Sequence, residues 1–471
     1  MGYGQVAVRP VEFSALDPEG AIQRGVSGRV EIVGHNGPVA QALVVQLTQM
    51  GIQAQIAERF AAPNTGLIVT ALEDLDPEQL HWTALEQAQA FRAAGGKRLV
   101  ILQLTGGRFD GGPDGGWRGG LSSLAKTAAR EWADIEVQAV DVAAQGVRAA
   151  DVASNILRAM GAGEVELGIG VEGESVVPVL ANSVMPIAGK AVPLAGAWLV
   201  TGGARGVTAA CVRETAAQAG GTFVLLGRSS LTDWPAGIAP TRSLTELRRS
   251  LALQAKDEGR SARPAEIDRQ ARAALASDEI RINIAAIQRA GGQAIYKVCD
   301  LMDEAAARQT IEHVRGEFGT ITGLVHGAGV LADRLIVETR REEFERVFRT
   351  KVTGLRTVLD CLDLSTLRHV GLFSSAAARY GNTGQVSYAM ANDVLNRVAR
   401  HLHGALPDAK VTSFNWGPWE GGMVDAALAR HFEDQGIGLI PIETGARIFA
   451  DQMLRGDRRY VELLIGDEWT V

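Results

Sequence analysis

Residues 197–212 read AWLVTGGARGVTAACV, and the architecture follows from them. An apolar run of strand type enters the turn TGGARGVT (201–208), and a helical pattern leaves it. Glycines in such a turn let backbone approach a pyrophosphate, and the helix behind it offers free N–H groups and a favourable dipole. A Gly-rich turn alone is a weak signal; the strand before and the helix after are the context it requires. Thr208 stands where the simplest form of the pattern has a last Gly.

On both sides of this turn, strand-like runs alternate with helical stretches. GRVEIVG (28–34), KRLVILQL (97–104), EVQAVDV (136–142), TFVLLG (222–227), ITGLVHGAG (321–329), HVGLFSS (369–375) and KVTSFNWGP (410–418) read as strands. Residues 207–218, 305–318 and 387–403 read as helices. The alternation predicts an α/β fold with doubly wound parallel sheets covered on both faces. A Pro-containing seam over 176–195 places a boundary near Gly196. The two sides read as degenerate copies. GRVEIVGHNGPVAQAL (28–43) resembles 197–212, KRLVILQLTGG (97–107) echoes HVGLFSSAAA (369–378), and GLSSLAKTA (120–128) echoes GQVSYAMAN (384–392). In the last register Leu124 faces Tyr388 and Ala128 faces Asn392, so the first copy lacks the polar groups of the second. The expected organisation is two Rossmann-like subdomains: 1–195, truncated and cofactor-free, and 196–471, which binds the cofactor. Thr232 to Ser277, rich in Arg, Glu, Gln and Ala, reads as a helical insertion, either a solvated structure or a docking element.

Of 471 residues, 46% are hydrophobic and 21% charged, as in an ordinary globular chain. The net charge of −7 excludes a generally basic nucleic-acid binder. Cys211, Cys299 and Cys361 lie far apart and form no metal-site or disulfide pattern, which suggests a reducing compartment. No apolar run approaches the ~18–20 residues of a membrane span, and the first residues lack a signal-peptide core, so a cytoplasmic location is expected.

The second strand of the cofactor half ends in LLGRSS (225–230). An acid there would hold the ribose hydroxyls of NADH; instead Gly227 is followed by Arg228 and Ser229, and Arg205 sits in the turn. Two planar cations suit a 2′-phosphate, so NADPH is the expected cofactor. Its expected contacts are Thr201, Gly202, Gly203, Arg205, Gly206 and Val207 in the turn. Asp300 and Leu301 after YKVCD would meet the adenine, and Gly327, Ala328 and Gly329 would let backbone pass close to the cofactor.

A second group of residues carries the chemistry. Ser375 ends a strand, Tyr388 follows 13 residues later, and Asn392 lies 4 beyond, on the same helix face. Lys351, in FRTKVTGL, precedes the tyrosine by 37 residues. These residues resemble a short-chain dehydrogenase/reductase, and more closely the ketoreductase domain of polyketide and type I fatty-acid synthases. Ordinary superfamily members place the lysine four residues after the tyrosine; synthase ketoreductases put Asn there and bring Lys from an earlier helix, as here. HGAGVLADRLI (326–336), LFSSAAARYGNTGQVSYAMAN (372–392) and FNWGPWEGGMV (414–424) resemble the ketoreductases of polyunsaturated-fatty-acid synthases most.

The resemblance implies a β-ketoacyl reductase acting on thioesters of an acyl carrier protein beside other synthase domains. Tyr388 would be general acid, Ser375 would hold the carbonyl, and together they would form an oxyanion site. Lys351 would bind nicotinamide-ribose hydroxyls and lower the tyrosine pKa. Asn392 would orient Lys351 or a water relay. Pro418 would cover the nicotinamide, residues 421–438 would form a lid, and Met423 would touch the acyl chain. Asp333, the last acid of Leu331-Ala332-Asp333, points to a 3R alcohol. Tyr380, eight residues before Tyr388, leaves the opposite hand open. A reductase of free small ketones and a redox-silent epimerase or scaffold domain are the other readings. Arginines 340, 341, 346, 349 and 356 are candidates for a carrier-protein landing patch.

Overall fold

The computed structural model describes the chain except residues 1–2, 5, 17–27, 35, 61–65, 70–74, 113–114, 185–186, 188, 423–425, 435 and 470–471. The first half runs β1 (Val8–Leu16), β2 (Arg29–Val33), α1 (Pro38–Gln49), β3 (Gln53–Ala57), β4 (Gly66–Val69) and α2 (Pro77–Ala93). It continues through β5 (Arg98–Gln103), α3 (Leu121–Glu131), β6 (Glu136–Val142), α4 (Ala149–Ala159), β7 (Glu166–Ile169) and β8 (Ser175–Leu180). The second half opens with β9 (Ala197–Thr201), α5 (Gly206–Ala219), β10 (Thr222–Gly227), α6 (Leu244–Asp257), α7 (Pro264–Arg289), β11 (Gln293–Val298) and α8 (Glu304–Phe318). Then come β12 (Ile321–His326), α9 (Arg341–Phe348), α10 (Gly354–Cys361), β13 (His369–Ser375), α11 (Ala376–Tyr380) and α12 (Val386–Ala405). β14 (Lys410–Trp416), α13 (Ala426–Asp434), α14 (Ile442–Arg455) and β15 (Glu462–Ile465) complete it.

The predicted alternation of strand and helix is present, and each quoted strand forms. In the second half the strand order is β11-β10-β9-β12-β13-β14-β15, all parallel. The first half repeats this order with one strand fewer, β3-β2-β4-β5-β6-β7. Both orders reverse after the first strand of the unit, leaving a crevice at the strand carboxyl ends, where open α/β sheets bind ligands. Strands such as β10, whose Phe223, Val224, Leu225 and Leu226 are all buried, fit a sheet covered on both faces.

The halves are joined where separate sheets were expected. β1 pairs antiparallel with β15 through Val8–Pro10 and with β8 through Val11–Leu16, giving one 15-stranded sheet with an antiparallel seam. β8 falls at the start of the expected linker, and its Pro178 disguised it. β7 pairs with β8 only at Ser175 and Val176, so the missing N–H of Pro178 lies beyond that ladder. The insertion also differs in extent. α6 and α7 form a hairpin with a small core of its own (Leu247, Leu251, Ala271, Ala274), but α7 runs on to Arg289. Its second part buries Ile280 and Ile287 against the main fold.

Among the described residues no helix is long and apolar enough to cross a membrane, and no group of side chains could hold a metal ion. Two of the candidate landing arginines are already paired: Arg349 with Glu78 at 2.7 Å and Arg341 with Glu345 at 2.7 Å.

Candidate active site

Lys351, Ser375 and Tyr388 come from three different elements and line one cavity of about 630 Å³. Ser375 ends β13 and caps α11, its Oγ accepting from the Ala377 N–H at 3.2 Å. Tyr388 lies in the first turn of α12. Lys351 sits in a π-helical turn, Arg349–Thr353, between α9 and α10. The residue is buried; its Nζ donates to Phe373 O at 2.7 Å and Ala328 O at 3.4 Å, and lies 5.8 Å from the Tyr388 ring centre.

A relay behind the cavity fixes this lysine. His326 is fully buried; its Nε2 contacts Lys351 O at 2.9 Å and its Nδ1 contacts Thr201 Oγ1 at 2.8 Å. The carbonyl partner assigns the ring proton to Nε2, so the Thr201 hydroxyl donates to Nδ1. Burial first, and the Lys351 charge second, push the His326 pKa down to about 3, so the ring is neutral. The Lys351 carbonyl also accepts from the Gly354 N–H, so the His326 ring takes its second lone pair. His326 lies inside the quoted HGAG run, yet its chemistry was not legible there. A lone His in a strand gives no sign of what it bonds.

Electrostatics correct one expectation. Burial lowers the Lys351 pKa to about 7, and no counter-charge opposes it. Burial raises the Tyr388 pKa, with the Asn392 and Ser375 side chains pulling it back in part. Lys351, neutral above about pH 7, does not offset this rise. The phenol is therefore a stable proton carrier in the free protein, not a phenolate. Asn392 is buried on the next turn, its Nδ2 donating to Tyr388 O at 2.8 Å. It makes no hydrogen bond to Lys351, and its Oδ1 has no partner among the described residues.

A second cavity, about 240 Å³, adjoins the first; Gly202, Arg205, Ala328 and Gly329 line both. It is bordered by Gly227, Arg228, Ser229, Asp300 and Leu301. Gly202 has φ +66°, and a Cβ there would strike Ala328 N at 2.9 Å, so the turn needs glycine. Thr208 is accommodated in place of a glycine because Gly327, against which it lies, has no Cβ. Gly206, Val207, Gly327 and Pro418 line the larger cavity. Thr201 and Gly203 line neither; the Thr201 hydroxyl serves His326 from behind the turn. Asp300 borders the smaller cavity, and its Oδ1 accepts from Met302 N–H at 3.0 Å.

Arg205 is engaged rather than open: its Nε donates to Glu279 at 2.6 Å. Glu279 and Ile280 of α7 and Tyr296 of β11 border the cleft and were missed; they lie just beyond the insertion read over 232–277 and carry no motif. Trp469 was missed too. It lines the larger cavity from the chain's last described residues and stacks on Tyr380 at 6.1 Å. Leu428 and Phe432 of α13 line the same wall. Asp333 accepts from Gln385 Nε2 at 3.1 Å beside the cavity mouth. Met423 lies outside the described residues.

The arrangement offers a proton donor, a hydroxyl and an ammonium around one reacting position, next to a cleft shaped for a dinucleotide. A further cavity, about 660 Å³, lies in the first half at the ends of β5 and β6. There Gln103 occupies the place of Ser375, and its Oε1 accepts from Ser122 N–H at 3.3 Å. Among the described residues lining it, no acid pair or nucleophile accompanies Gln103.

Residues 196–421 match the family described as "KR domain". A polyunsaturated fatty acid synthase polypeptide from Thraustochytrium sp. is 36% identical over 367 residues, covering 74% of this chain and 13% of that protein. Polyketide synthase PksL of Bacillus subtilis is 33% identical over 171 residues, 35% of this chain and 4% of its own length. The chain thus spans a small part of these relatives. Among solved structures, A-type ketoreductases from a modular polyketide synthase superpose with a TM-score of 0.74 at 19% identity, covering 98% of this chain and 93% of theirs. A ketoreductase domain from the bacillaene assembly line gives 0.71 at 19%, covering 98% and 97%.

Proposed function

The chain belongs to the KR-domain family through residues 196–421, and we propose that it reduces the β-keto group of a carrier-protein-bound β-ketoacyl thioester, with NADPH as reductant. The observation that carries this reading is the convergence of Lys351, Ser375 and Tyr388 on one cavity that continues into the Gly-rich cleft.

NADPH fits the residues present. The turn packs its Gly202 directly on the Ala328 backbone, while open space lies where a Cβ of Gly206 would stand, and Arg228 is exposed on the smaller cavity with no ion pair among the described residues. Arg228, Ser229 and Asp300 would hold the adenosine end, and Gly206, Val207 and Gly329 the phosphates and nicotinamide ribose. When bound, the cofactor supplies hydride to the ketone carbon. Ser375 Oγ and Tyr388 Oη orient the carbonyl oxygen, and Tyr388 gives it the proton. The products are the β-hydroxy thioester and NADP+, with one proton consumed. Lys351 Nζ would bind the nicotinamide-ribose hydroxyls, and Asn392 Oδ1, which has no partner among the described residues, would accept from a water that returns the proton to Tyr388. A 3R product is proposed on the resemblance carried by Asp333, which sits beside the cavity residue Gln385. Residues 1–195 act as a structural subdomain, and α13 acts as a lid whose Leu428 and Phe432 face the acyl chain.

Incubation of acetoacetyl-carrier protein with the chain and NADPH tests this. The expected product is 2 Da heavier and 3R on chiral analysis. A free small ketone reduced as efficiently as the carrier-bound substrate would argue against a carrier-protein enzyme, and no mass change would favour a redox-silent domain.

A further inference from the structure

The anion-binding turn of the cleft already holds an anion from this chain. One Glu279 oxygen accepts from Arg205 Nε at 2.6 Å, and the other accepts from Gly206 N–H at 2.9 Å. Gly206 opens α5, so this amide is one of the free N-terminal donors that a cofactor phosphate would use. Arg205 is one of the two guanidiniums placed for a 2′-phosphate. The carboxylate therefore occupies one of the two guanidiniums and one of the helix amides that a phosphorylated dinucleotide would use.

We propose that Glu279 is a specificity-determining residue of the cofactor site: it competes with the cofactor's phosphates for Arg205 and Gly206 and so sets the affinity for NADPH and its margin over NADH. The proposal rests on the NADPH reading above. The helix cannot withdraw to make room. Ile280 is 1% exposed, and Asn283 Nδ2 donates to Ala204 O at 3.0 Å, tying α7 to the turn itself. The side chains can move: Glu279 is 38% and Arg205 51% exposed. Cofactor entry is then an exchange in which the carboxylate swings outward and Arg205 turns to the phosphate. Arg228, with no ion pair among the described residues, needs no such exchange. A carboxylate that stays within a few ångströms of the phosphates still repels them, and repels the more highly charged NADPH more than NADH.

The test is equilibrium binding to the full chain at low ionic strength, read by the fluorescence of NADPH and of NADH. Wild type, Glu279→Gln, Arg205→Gln and the double variant are compared. The partly exposed site leaves folding intact, checked by thermal melting. Glu279→Gln is expected to tighten NADPH about 3- to 10-fold, the scale of an exposed pair at a helix terminus, and NADH less. Added salt shrinks the gain, and so does the Arg205→Gln background. An unchanged or weaker NADPH affinity in Glu279→Gln, or an equal gain for NADH, overturns the proposal while leaving the reductase reading in place. Absence of binding of either dinucleotide to all four proteins overturns the reductase reading, and the role of Glu279 with it.

Discussion

Lys351 is the residue on which charge and geometry meet. Its burial lowers its pKa to about 7, so it is an ammonium below that pH and an amine above it. The value of kcat/KM for the cofactor, which reports the free protein, is expected to fall as pH rises through about 7. In Lys351→Arg the break moves out of the measured range, because a guanidinium stays charged. A flat profile in the wild type across pH 6–9 would show that the amine serves equally well. That Lys351, Ser375 and Tyr388 would meet at one cavity could be read from the sequence, because their spacing is a signature of residue types. The protonation states could not. They depend on desolvation by Phe373, Ala328 and the sheet, which no spacing encodes. Glu279 and Trp469 were illegible for a related reason: each reaches the cleft through tertiary packing from a distant part of the chain.

Among the elements, α12 carries Tyr388 and Asn392 and is held by the other half of the molecule. Asp393, next to Asn392, accepts from Ser122 at 2.6 Å and Ser123 at 3.0 Å on α3. Arg397, one turn on, pairs with Asp393 at 3.0 Å and with Glu166 of β7 at 2.9 Å. Glu166 also meets Lys126 at 3.1 Å and Arg379 at 2.9 Å. Burial alone would raise the Glu166 pKa, but Lys126, Arg397 and Arg379 outweigh it and hold the carboxylate ionised. Removing it leaves three cations facing a dry interface. Glu166→Ala is expected to lose about 3–5 kcal/mol in urea denaturation, and Glu166→Gln a smaller amount. A loss below about 1 kcal/mol would mean that water or Asp393 compensates. The pairing of α3 with α12 was legible in part, since GLSSLAKTA echoes GQVSYAMAN. The echo located two equivalent helices. That they pack on each other through buried charge follows from Ser122, Lys126, Asp393 and Arg397, which look like ordinary surface residues in sequence.

For the whole molecule, the join between halves matters most. The sequence places a boundary near Gly196, and strand order places two related units on either side of it. Yet β1 crosses to β15, and α3 covers α12, so residues 196–471 expose an apolar edge when cut free. A chain beginning at residue 196 is expected to be insoluble or to melt well below the full chain, and co-expressed 1–195 is expected to restore it. A fully active, equally stable 196–471 fragment would contradict the structural role given to the first half. β1 escaped sequence reading because VRPVEFSAL has a proline and two polar residues besides its arginine, tolerable in a seam strand whose two ends pair with different partners.

The proposed chemistry turns on Tyr388 protonating a ketone that NADPH reduces in this cleft. It is tested by following NADPH absorbance at 340 nm with an acetoacetyl thioester, on wild type and Tyr388→Phe, with NADH as control. Turnover is expected in the wild type with NADPH preferred, together with a loss of about 10²- to 10⁴-fold in Tyr388→Phe and unchanged NADPH binding by that variant. Undiminished turnover in Tyr388→Phe, or none in a wild type that binds NADPH, would contradict it.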